Sequence, residues 1–180
     1  MLKHFLTTRR YLVGFLMLSL LLTGCGFKMR GQIDLPFTSI YSNISRNSSF
    51  GIYIYRLLKA SSPKTVMVDS PQQAELIITQ LALNRTRTEV SLDADGAVEE
   101  YELGLTFQFT VSDVAGNVLI EPTVFTSSQL LPYDEQEADA KSAEMVLIYN
   151  NMEKSIADRL YRRITSEDLI HRYRQLNPSK

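Results

Sequence analysis

Few residues of this 180-residue chain have the chemistry to act as a site, and the first is its only cysteine. Cys25 follows Leu22-Thr23-Gly24 and closes a segment with Lys3, Arg9 and Arg10 in front and an uncharged twelve-residue run from Tyr11 to Leu22. A cationic start, a short apolar stretch and small residues before a cut are the parts of a secretory signal. The run is well short of the roughly 20 residues that a membrane-spanning helix needs. A cysteine directly after Leu-Thr-Gly resembles the bacterial lipobox, in which the thiol is acylated and becomes the new N-terminus. Lipidation also accounts for a lone exported thiol, which would otherwise need its own explanation. The expected organisation is a cleaved lipoprotein signal at 1–24, a lipid anchor and tether at 25–36, a single α+β domain at 37–176 and a loose tail at 177–180.

Beyond Cys25 the inventory of reactive groups is thin. Once the signal is removed His171 is the only histidine, so Cys-His catalysis and a multi-histidine metal site are excluded. A serine triad would have to be built on that late histidine without a G-x-S-x-G elbow to hold the serine. No P-loop or G-x-G-x-x-G is present. Glu99 and Glu100 are adjacent, and neighbours on a strand point to opposite faces and cannot share a substrate. The chain is therefore not expected to be an enzyme, and no cofactor or metal is expected.

Charge leaves cationic residues as the remaining candidates. Loss of the signal lowers Lys+Arg from 19 to 16 against 20 Asp+Glu, taking the formal charge from -1 to -4. That balance argues against nucleic-acid binding, which depends on an excess of cations to neutralise phosphates. From Thr65 to Ala140 the only basic residues are Arg85 and Arg87, within an acidic stretch, while Lys154 to Lys180 carries seven basic residues against three acidic ones.

These residues must be positioned by elements that the pattern allows to be placed. Phe37 to Ile44 suits a first strand, and Thr65 to Val68 a short one before Asp69-Ser70-Pro71. Phe50 to Ala60 fits either a strand, through Ile52-Tyr53-Ile54-Tyr55, or a helix; the Asn47-Ser48-Ser49 cap and the Ser61-Ser62-Pro63 stop favour the helix. Ala74–Leu92, Val98–Ser112 and Val118–Leu130 read as an antiparallel meander joined by Asp93-Ala94-Asp95-Gly96 and Asp113-Val114-Ala115-Gly116-Asn117. In the middle strand Tyr101, Leu103, Leu105, Phe107, Phe109 and Val111 share one face, and the polar residues between them share the other. Leu76 and Ile78 have one parity and Leu81 and Leu83 the other, which predicts a bulge or two-sided burial near Thr79 and Gln80.

If the first hairpin pairs Leu92 with Ala97, Arg87 stands opposite Glu102 on the polar face, and Arg85 shares that face. The pair reads either as a cross-strand charge contact or as an anion contact. Asp134, with Glu137 three residues on, opens a helix from about Glu135 to Ile164. Its stripe of Ala138, Met145, Ile148, Tyr149, Met152, Ile156, Leu160 and Ile164 would cover the apolar face of the meander. Thr165 to Leu176 adds a short helix capped by Thr165 or Ser166.

The lipobox together with Cys25-Gly26-Phe27-Lys28-Met29-Arg30-Gly31 resembles the mature start of the LptE family of lipopolysaccharide-assembly lipoproteins, also called rare lipoprotein B. The order of elements and the Glu100-Tyr101 pair after the first hairpin are also similar. The resemblance implies an α+β fold, with a mixed or antiparallel four-stranded sheet and two helices packed on one face. It implies an outer-membrane lipoprotein, anchored by lipid on Cys25 and facing the periplasm. Its partners would be an LptD-like outer-membrane β-barrel, which it plugs and helps to assemble, and lipopolysaccharide bound during insertion into the outer leaflet. Gly26 after Cys25 suits release to the outer membrane, where an Asp would signal retention in the inner one. The family's basic contacts to lipopolysaccharide fall near the first hairpin and the start of the last helix. Lys141 matches the second, and Arg85 and Arg87 stand in for the first, because the hairpin tip carries no cation. The alternative reading is an auxiliary lipoprotein of an ABC-type envelope lipid transporter, or a general envelope interaction module.

Overall fold

The computed structural model describes residues 35–178. β1 (Ser39–Ser42) leads into α1 (Ser49–Ser61), and β2 (Val66–Met67) returns parallel to β1. The ambiguous Phe50–Ala60 stretch is helical for a local reason. Ser48 caps its first turn, accepting from the Gly51 N–H at 3.0 Å. Phe50, Ile54 and Leu58 then fall on one buried face, and the helix closes with Ser62 N–H on the Leu58 carbonyl, just ahead of Pro63.

The meander follows as β3 (Leu76–Leu92), β4 (Val98–Asp113) and β5 (Val118–Pro132). Both hairpins use the same device: an aspartate at the end of one strand accepts backbone hydrogen bonds across the turn, and a glycine takes the left-handed conformation. Asp93 accepts from Asp95 and Ala97 N–H at 2.9 and 2.8 Å, and Asp113 from Asn117 N–H at 2.9 Å. Gly96 and Gly116 have φ of 84° and 87°. A 3-10 turn at Glu135–Glu137, capped by Asp134 accepting from Gln136 N–H, leads into α2 (Ala138–Ile164). α3 (Glu167–Leu176) is capped by Ser166.

The sheet order is β2-β1-β3-β4-β5, parallel across β2, β1 and β3 and antiparallel across β3, β4 and β5. The fold is α+β with a mixed sheet, but it has five strands and three helices where the resemblance implies four and two. The extra strand is β2, two residues held at the edge by Val66 and Val68 N–H on the Thr38 and Ile40 carbonyls. The residue pattern places both additional elements, as the short strand Thr65 to Val68 and the short helix Thr165 to Leu176. The extra helix is α3, which buries Leu169 and Tyr173 and sets the Tyr173 ring edge-on to Phe37 at 5.5 Å.

α1 and α2 cover one face of the sheet. That face carries Tyr101, Leu103, Leu105, Phe107, Phe109 and Val111 of β4, all buried as the alternation predicts. Phe50 of α1 meets the Phe107 ring at 4.9 Å, and Phe107 stacks on Phe109. Among the described residues no helix covers the other face, which is rich in hydroxyls, with Thr86, Thr88, Thr106, Thr126 and Ser128 around Gly104. Side chains blunt the exposed sheet edges: Asn43 both donates to and accepts from the Gln80 backbone, and Arg159 and Arg172 donate to the Thr126 and Leu119 carbonyls of β5.

Candidate functional site

The position of Arg85 and Arg87 is decided by a single extra residue in β3. From Leu76 to Gln80 the even-numbered residues face the helices; a bulge at Leu81 then shifts the register, so Leu83, Arg85 and Arg87 face them instead. Leu76 and Ile78 are fully buried, Leu83 packs on the core and Leu81 is exposed, as the two parities in the sequence predict. The hairpin tip is one residue longer than the Leu92–Ala97 pairing assumes: Leu92 pairs with Val98, and the two irregularities between Glu89 and Leu92 cancel. Arg87 therefore pairs with Leu103 and Arg85 with Leu105, while Thr88 stands opposite Glu102. The expected pairing of Arg87 with Glu102 on the polar face is thus incorrect: a one-residue slip reverses every side chain. Both arginines lie on the helix-covered face, opposite the buried Leu105 and Leu103.

There they meet α2. The Arg85 guanidinium ion-pairs with Glu153, whose side chain is 4% exposed, and lies 5.0 Å from the Tyr149 ring centroid. Ser49, at the start of α1, donates to the same Glu153 carboxylate at 2.5 Å, where the helix dipole also favours a negative charge. Tyr149 donates to the Thr86 carbonyl at 2.7 Å. Burial raises the Tyr149 hydroxyl pKa above its ordinary value, and the positive charges of Arg85 and Arg87 partly oppose that shift. Arg87 lies 4.8 Å from the Tyr101 ring centroid and has no carboxylate partner among the described residues. Tyr101 in turn packs edge-on against Tyr133 at 5.0 Å. The result is a half-open aromatic shelf with one committed and one available guanidinium.

Lys141 lies in the second turn of α2 and pairs with Glu144 at 3.1 Å. It is not brought into contact with either arginine. Cys25 lies outside the described residues. His171 is exposed on α3, and among the described residues no group of His, Cys, Asp or Glu is arranged to hold a metal ion. Among them too, no helix is long and apolar enough to cross a membrane.

A model of the family described as LptE, lipopolysaccharide-assembly, matches residues 37–164. The chain belongs to the LptE family. The matched span runs from the strand that starts the sheet to the last residue of α2, so it contains the arginine shelf whole. This LptE-family chain is similar to uncharacterized lipoprotein B from Nitrosomonas europaea, at 26% identity over 78% of this chain and 90% of that one, with a TM-score of 0.64. It shares its fold with rare lipoprotein B from Shewanella oneidensis, at 23% identity, 73% and 95% coverage and a TM-score of 0.61. It also shares the fold of a minor lipoprotein from Acinetobacter baumannii, at 17% identity, 73% and 93% coverage and a TM-score of 0.59. No curated protein matches it in sequence.

Two residues of the shelf escape the sequence pattern of this LptE-family chain. Glu153 is an acid on the buried stripe of α2, next to Met152 and one turn from Tyr149. A charge at such a position signals a buried partner, and the only inward-facing cations of the meander are Arg85 and Arg87. Ser49 reads as a cap candidate, but Ser48 is the cap, which frees the Ser49 hydroxyl for Glu153.

Proposed function

We propose that this lipopolysaccharide-assembly lipoprotein is held in the outer membrane by acyl chains on Cys25, after removal of 1–24, with 25–36 as tether. Its domain plugs an LptD-like β-barrel, aids assembly of that barrel and binds lipopolysaccharide during insertion into the outer leaflet. The observation that carries the reading is the family match over residues 37–164. The uncovered face of the sheet supports it. Thr86, Thr106, Thr126 and Ser128 offer hydroxyls without a covering helix, and the lumen of an outer-membrane barrel is polar.

The chemistry is binding and not catalysis. Arg87 offers charge-assisted contacts to phosphates and carboxylates of lipid A or the inner core, with Tyr101 beneath it as a flat support. Arg85 keeps its outward donors while Glu153 fixes its position, and Lys141 adds a third cation at the start of α2. The test is a pull-down of the full chain from detergent-solubilised outer membrane. A stoichiometric complex with a large β-barrel is the expected result; recovery of an inner-membrane transporter, or of no partner, overturns the plug assignment.

A further inference from the structure

A second cationic site lies away from the arginine shelf, between α1 and the edge strand β2. Helix formation over Ser49–Ser61 sets Ile52, Tyr55, Arg56 and Lys59 at spacings of three, four and seven, on one stripe that diverges from the buried Phe50, Ile54 and Leu58. This stripe, with Pro63, Val66, Met67 and Arg46, walls a cleft of about 540 Å³, a size ordinary for a small-molecule site. None of the lining residues is acidic, in a chain with 20 acidic residues. Arg46 is held in place: it pairs with Asp69 at 2.8 Å, donates to the Val68 carbonyl and lies 5.1 Å from the Tyr55 ring centroid. Arg56 and Lys59 have no ion-pair partner among the described residues. Ile52 and Val66 are 39% and 61% exposed, so apolar surface lies open beside the three cations.

We infer that this cleft binds a lipid with a net-anionic phosphate headgroup, the headgroup between Arg46, Arg56 and Lys59 and the first carbons of its acyl chain along Ile52, Val66 and Met67. An anion alone would leave the apolar wall in water, and an uncharged chain would leave the cations unused. The site shares no residue with the Arg85–Arg87 shelf and does not rest on the plug reading.

The test uses the full chain in non-ionic detergent, with the methyl resonances of Ile52, Val66 and Met67 as reporters. The probes are dihexanoylphosphatidate, dihexanoylphosphatidylcholine and inorganic phosphate. Saturable shifts at these methyls are expected with phosphatidate, at least tenfold tighter than with either other probe. Arg56→Gln with Lys59→Gln weakens phosphatidate tenfold or more, and Arg162→Gln, at an exposed cation of α2, leaves it unchanged; both altered cleft residues are exposed, and unchanged core methyl resonances report the fold. Equal affinity for inorganic phosphate, equal affinity for phosphatidylcholine, or indifference to the double substitution each overturns the inference. A failed barrel pull-down leaves it standing.

Discussion

Replacing Arg85 with alanine leaves the Glu153 carboxylate buried, with only the Ser49 hydroxyl as partner. Removing one member of a buried ion pair costs several kcal/mol. Here the arginine is half in water, which screens the pair, and about 2 kcal/mol is the expected loss. Arg87→Ala removes only a contact over the Tyr101 ring, worth about 0.5–1 kcal/mol at an exposed site. Thermal unfolding should therefore separate two arginines that lie on the same face of one strand. Arg85→Ala combined with Glu153→Gln should recover part of the loss, because the uncompensated charge is gone. Equal stabilities for the two single variants would show that Glu153 does not depend on Arg85. For lipopolysaccharide binding the order reverses, and Arg87→Ala is the more damaging change, since Arg87 has no carboxylate to satisfy.

At the scale of elements, the second hairpin carries a pH-dependent fastening. Burial raises the pKa of the Asp113 carboxyl, but hydrogen bonds from the Asn117 side chain and backbone, Asn177 and Ala115 outweigh it, leaving the group below its ordinary value. A depressed carboxylate contributes stability above its unfolded pKa of about 3.9, and that contribution is lost as pH falls through the folded value. Asp113→Asn should cost about 1–2 kcal/mol at pH 7, and the gap from wild type should narrow toward pH 3; a constant gap would exclude the charged hydrogen bonds as its source. Such turns are legible in sequence, because Asp and Gly at fixed offsets have a local cause. The middle strand is legible for the same kind of reason, its period of two matching burial on one face. Register is not local. The bulge at Leu81 shows in the parity of its neighbours, but the turn that pairs Leu92 with Val98 and not with Ala97 lies among exposed residues, where burial leaves no pattern. Counting from the hairpin tip therefore sets Arg85 and Arg87 on the wrong face. β2 is legible as the short strand Thr65 to Val68, and Glu153 is intelligible only once Arg85 faces inward.

The whole molecule is built with one finished face and one open face. Helices close the apolar side of the sheet, and the hydroxyl-lined side is uncovered. Under the proposed anchoring, two attachments then hold the domain near its membrane, the acyl chains on Cys25 and the barrel around the sheet. They differ in physical kind. More than one acyl chain makes anchoring stable where a single chain is marginal. A domain with a formal charge of -4 after loss of the signal gains no electrostatic hold on an anionic leaflet. Wild-type protein should accordingly stay with membranes through a high-salt wash and leave only with detergent. Cys25→Ser removes the acylated thiol without touching the domain, and cell fractionation should find every copy not seated in a barrel in the soluble periplasmic fraction. If Cys25→Ser still sediments with membranes and resists salt, the lipid is not what holds the chain, and the contact between the open face of the sheet and its barrel must be strong enough to do so alone.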